Sequence, residues 1–125
     1  MEVKFSKSLM IAASLVLALV AMALIFASEE WAANFGIEPS PALNITAQVL
    51  GVFMVSFAML NWMSKGMTLG GIYGRPIVIA NLLHFSMNAI LFTKLSVAYS
   101  EPILWAAAAI STVLALAFAR LAFWS

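Results

Sequence analysis

The sequence contains no cysteine, so it can form no disulfide, offers no thiolate nucleophile and cannot build a Cys-ligated metal site. Charge is scarce as well, at 9% of the 125 residues, and 65% are hydrophobic, with a mean hydropathy of +1.07. A soluble domain carries about a quarter of its residues charged, so this composition excludes one and points to an integral membrane protein. Almost nothing remains once the apolar runs are removed, which leaves no room for a separate soluble domain. With so few cations, no nucleic-acid partner is expected. The formal net charge of +1 carries no information, whereas the placement of the charges does.

Three further scarcities narrow the chemistry. The single histidine is His84, so one chain cannot supply the two or three imidazoles of a typical metal site. Met54, Met59, Met63 and Met87 could add a soft ligand, as in Met/His haem pairs, but methionine more commonly fills gaps between helices. No Asp or Glu falls within an apolar run. Proton-coupled antiporters commonly hold a carboxylate at membrane depth, so an exchange mechanism of the small multidrug exporter kind is disfavoured. Ser86 lies about 160° around a helix from His84 and no aspartate is available to orient the ring, so a hydrolase triad is not supported. No cofactor can be named.

Four segments are long enough to cross a hydrocarbon core of about 30 Å at about 1.5 Å rise per residue. The first, 8–28, follows Lys4 and Lys7. Its length and the poor small-x-small site at Ile25 and Ala27 favour a retained anchor over a cleaved signal peptide. Glu29, Glu30 and Glu38 then arrive with Trp31 and Phe35, as in an interfacial connection. Ser40 and Pro41 read as the N-cap and first position of the second span, 42–64, which ends at Asn61 and Trp62 just before Lys65. A connection with Gly66, Gly70, Gly71 and Gly74 leads to the third span, 76–95. Its glycines do not have the spacing of a phosphate-binding loop, and no strand precedes them. A polar turn at 96–100 is expected next, then the fourth span, 102–124.

These spans predict an all-α, four-transmembrane-helix bundle running up, down, up and down as a single domain, 1–125. In that topology Lys4, Lys7, Lys65, Arg75 and Arg120 share one side and Lys94 alone marks the other. The excess of Lys and Arg places both termini in the cytoplasm.

The third span carries the polar residues of interest. Asn81, His84 and Asn88 fall within about 60° of one another on a helix and form one row. Amides and an imidazole cannot face lipid unpaired, so other helices are expected to cover this row. His84 lies about 13 Å in from Arg75 along the axis, where a neutral ring with one donating and one accepting nitrogen is expected. An antiparallel second span would bring Asn61 and Gln48 to the levels of Asn81 and Asn88 and build a buried amide and imidazole network. Two readings stay open. Asn81, His84, Asn88, Gln48, Asn61 and Arg75 could line a ligand pocket between helices, or the same side chains could only hold the helices together. Gln48 and Asn61 are about 140° apart on their helix and cannot both face one pocket, which favours packing. Arg75, beside the glycine-rich turn, could bind a lipid phosphate or a carboxylate, or act as an ordinary positive-inside anchor. Ser14 and Ala18, and Ala107, Ser111, Ala115 and Ala119, place small residues at every fourth position, which would close the bundle or join two copies.

The run FGIEPSPALNITAQVLGVFMVSFAMLNWMSKG followed by GRPIVIANLLHF resembles small four-helix bacterial inner-membrane proteins of the DoxX-like neighbourhood, through Gly51, Asn61, Trp62 and Arg75. The resemblance covers about half the chain. It implies a bacterial inner-membrane location and no particular activity. The expected function is therefore a non-enzymatic accessory subunit or a lipid or small-molecule binder, alone or as part of a homo-oligomer or larger membrane complex. The alternative is a membrane enzyme or redox carrier that uses His84.

Overall fold

The computed structural model describes residues 2–67 and 72–124, with side chains from Lys4 onward. Gly70 and Gly71 of the glycine-rich connection lie outside the described residues. The described chain is all helical, with α1 (Glu2–Phe26), α2 (Ser28–Asn34), α3 (Pro41–Ser64), α4 (Arg75–Tyr99) and α5 (Pro102–Trp124). Four of these, α1, α3, α4 and α5, are long and apolar enough to cross a membrane. The described residues thus form five helices, one more than the spans alone predict.

The additional helix, α2, lies in the segment read as an interfacial connection. Ala27, at φ −129° and ψ 30°, interrupts the helical path, and α2 then begins with Ser28 and carries Glu29 and Glu30 in its first turn, where acidic groups complement the helix dipole. It ends in a Schellman motif. Gly36 takes the left-handed φ of 70°, its N–H donates to Ala33, and the N–H of Ile37 donates to the Ala32 carbonyl at 2.8 Å. Ser28 and Ala32 are buried while Glu29 and Glu30 are exposed, so α2 is a short two-faced helix.

Other boundaries follow their local chemistry. Ser40 accepts a hydrogen bond from the Leu43 N–H at 3.1 Å, which caps α3 as its Ser-Pro start predicts. By contrast, α4 continues through the polar turn expected at 96–100. The Ser96 hydroxyl donates to the Phe92 carbonyl at 2.6 Å, so this buried polar group is satisfied inside the helix, and the chain turns only at Ser100, at φ 55°. Lys94 consequently lies within α4. The first helix ends at Phe26 rather than Ser28 because Ser28 belongs to α2.

The chain divides into two units, one comprising Met1–Leu9 with Gly66–Ser125 and the other Met10–Lys65. In the first, α4 and α5 form a hairpin around Ser100 and Glu101. Phe85 stacks on Phe118 at 5.9 Å between ring centroids and 6° between planes. Val78, Asn81 and Phe85 on α4 are buried, as are Leu104, Ala108, Ser111, Ala115 and Phe118 on α5, so each helix turns a stripe spaced by three and four residues inward. Arg120 lies over the Phe5 ring of α1, with its guanidinium carbon 4.7 Å from the centroid.

In the second unit α3 packs closely on α1. A Cβ added at Gly51 would stand 2.6 Å from Cγ1 of Ile25 and 3.0 Å from the carbonyl oxygen of Ala21, so only glycine admits this approach. The other buried residues of α3 are Ala58, Asn61 and Ser64, all small or polar. Its large apolar residues point outward, Val52, Phe53, Met59, Leu60 and Met63 among them. Such an inside-out distribution suits a hydrocarbon solvent, in which large apolar side chains gain nothing by hiding and close backbone packing holds helices together. Exposed hydroxyls obey the same constraint. Thr46, Ser56, Thr93 and Thr112 each donate to the carbonyl four residues back, at 2.7 to 2.9 Å, so that none of the four needs water.

Candidate functional site

The polar row of α4 exists, and Asn81 and Asn88 each make a hydrogen bond along their own helix, while Asn81 and His84 have further partners besides. Asn81 is fully buried, and its Nδ2 donates to the Ile77 carbonyl at 2.9 Å, one turn back. Asn88 and His84 are half-buried, and Nδ2 of Asn88 lies 3.1 Å from Nε2 of His84. An amide nitrogen can only donate, so Nε2 accepts and the proton of the neutral ring sits on Nδ1. The two side chains therefore pair at the i, i+4 spacing that places them on adjacent turns. His84 also meets Phe85 edge to face, with the centroids 4.8 Å apart, next to the Phe85 and Phe118 stack. Among the described residues, no buried side-chain nitrogen or oxygen lacks a hydrogen-bond partner.

The remaining predicted residues fall in different settings. Asn61 is fully buried near the end of α3, and it too is paired. Gln48 is exposed on α3, which corrects the expectation of a buried amide there. It stands about 60° to 80° around the helix from the small residues Gly51 and Ala58 that carry the α3 packing, at the edge of that face, and an extended glutamine does not fit where backbones come close. Arg75 is exposed at the first position of α4. At the end of α3, Nζ of Lys65 sits 3.3 Å from the centroid of the Trp62 ring, a cation-π contact.

One polar cluster escaped the sequence reading. Asn44, in the first turns of α3, accepts from the Ser28 hydroxyl at 3.1 Å through Oδ1 and donates to Oε1 of Glu29 at 3.2 Å through Nδ2. It uses both ends of one amide to latch α2 onto α3. A Ser-Glu pair in a connection and an Asn after a proline are common enough that only the fold could join them. Among the described residues, no group of three or more His, Asp and Glu could hold a metal ion.

No family model, curated protein or solved structure matches this chain, so the resemblance to DoxX-like membrane proteins is not supported, and what stands is a chain whose four apolar helices are compatible with a small membrane protein.

Proposed function

We propose that this chain is a non-enzymatic accessory subunit of a bacterial inner membrane, and that the polar row of α4 serves helix packing rather than ligand capture. One observation supports the reading: the amide nitrogens of Asn81 and Asn88 donate to the Ile77 carbonyl and to His84 within α4. The Nε2 lone pair of His84, which a metal or a substrate proton would need, already accepts from Asn88, and this disfavours the alternative of a redox carrier or enzyme built on His84. The orientation proposed has both termini and the Lys65 to Arg75 connection in the cytoplasm, with Lys94 on the far side, as the bias of Lys and Arg favours.

Native mass spectrometry after mild extraction tests the role. Copurification with a protein partner is expected. A small molecule bound by the wild type and lost on His84→Leu, with thermal stability unchanged, would overturn the packing reading. Single cysteines test the orientation on a background that has none. Those at Lys4 and Gly66 should resist an impermeant thiol reagent in intact cells while one at Glu30 reacts, and the reverse pattern would refute it.

A further inference from the structure

We infer that α3 is a self-association helix, on which two copies of this chain pair in the membrane through reciprocal hydrogen bonds between their Gln48 side chains. The inference goes beyond the accessory role and needs only that α3 lies in hydrocarbon. Gln48 stands seven residues from Pro41, about 10 Å along the axis of a helix long enough to span, and it is exposed. Unlike the neighbouring Thr46 and Ser56, which bond to their own helix, it has no hydrogen-bond partner among the described residues. A free primary amide at that depth costs too much to leave facing acyl chains, so something polar covers it.

The surroundings of Gln48 indicate a second copy. Ile45, Gln48, Val52, Val55, Met59 and Trp62 follow alternating steps of three and four, the a and d spacing of a left-handed helix pair. Three positions of this seam stand open among the described residues: Ile45, Val52 and Met59 are 60%, 56% and 57% exposed. Two copies inserted in the same direction are related by a two-fold axis along the membrane normal, which puts Gln48 opposite Gln48 at equal depth. A primary amide both donates and accepts, so an identical amide satisfies it on both counts, whereas an unlike partner would need a matching polar group at that level. One polar residue in an otherwise apolar seam is also the known device for setting register.

Oxidative cross-linking in membranes tests this on the full chain, because the natural sequence has no cysteine to interfere. Single cysteines at Ile45, Val52 and Met59 would bring two copies within disulfide reach, and covalent dimer should form at all three. Cysteines at Val49, Phe53 and Leu60 are also exposed but lie about 100° to 140° around the helix from Gln48, and they should stay monomeric. Adding Gln48→Leu to the Val52→Cys chain should lower the cross-linked fraction about tenfold, the order expected for one interhelical amide pair, and Gln48→Asn should restore part of it. The membranes are washed with alkaline carbonate before oxidation. Protein lost in the wash overturns the membrane reading and this inference together. Retained protein that cross-links equally at both sets, at neither set, or without dependence on Gln48 overturns the pairing alone, including the cases in which Gln48 reaches headgroup water or meets a different protein.

Discussion

Gly51→Ala is the most direct probe of how α1 and α3 are held together. The new methyl would meet Cγ1 of Ile25 at 2.6 Å and the Ala21 carbonyl oxygen at 3.0 Å, both inside ordinary contact distance. Neither neighbour yields easily. Ile25 is β-branched and its first torsion is nearly fixed on a helix, while the Ala21 oxygen belongs to the backbone. Relief must come from moving the helices apart by about 1 Å, and overpacking of this kind costs about 1 to 3 kcal/mol. Alanine recovers up to about 1 kcal/mol of helix propensity over glycine. The net expectation is a loss of about 1 to 2 kcal/mol, with more for Gly51→Leu.

Gly66→Ala, where an added Cβ meets nothing within 4 Å, should change stability by less than about 0.5 kcal/mol. Unfolding in mild detergent can be followed by the reactivity of a cysteine placed at the buried Ala58. The decisive measurement is the double variant. Ile25→Ala removes the 2.6 Å neighbour, so adding it to Gly51→Ala should cost less than it does alone, with a favourable coupling of at least about 0.5 kcal/mol. If Gly51→Ala is as stable as the parent, or if the two changes are simply additive, the close approach of α1 and α3 at this residue is wrong.

Three further expectations follow from named contacts. Asn44→Ala removes both bonds of the latch to Ser28 and Glu29 and should destabilise the α2 attachment by about 1 to 2 kcal/mol, seen as faster amide exchange across α2 with little change in α4. Gly36→Ala forces a side chain into φ 70° and should cost about 1 kcal/mol through loss of the α2 stop, read as faster exchange of the Ile37 amide. His84→Leu strands the half-buried Asn88 amide and should lower thermal stability in detergent by about 1 to 2 kcal/mol, more than Leu83→Ala at an exposed position, where lipid or detergent fills the space. A neutral His84→Leu would show that Asn88 has another partner ready.

Membrane character, the four long helices and the Ser40 cap are all legible in the sequence, because each depends on local quantities: the length of an apolar run, the scarcity of charge, a Ser-Pro start. So is the row of Asn81, His84 and Asn88, which follows from the helical period alone. What the row does with its hydrogen bonds was not legible, since a polar side chain on a helix can bond to its own turn or to a neighbour with no change in sequence. The amide nitrogens of Asn81 and Asn88 donate along α4, and the Ser96 hydroxyl does the same where the helix runs through an apparent turn. Only the tertiary structure decided that α1 stops at Phe26. No proline or glycine marks that break, and the Ser28, Asn44 and Glu29 bonds join positions that are remote in sequence. The fold also decided the exposure of Gln48, because the face a membrane helix buries is chosen by where backbones can approach, here at Gly51 and Ala58, and not by which side chains are most polar.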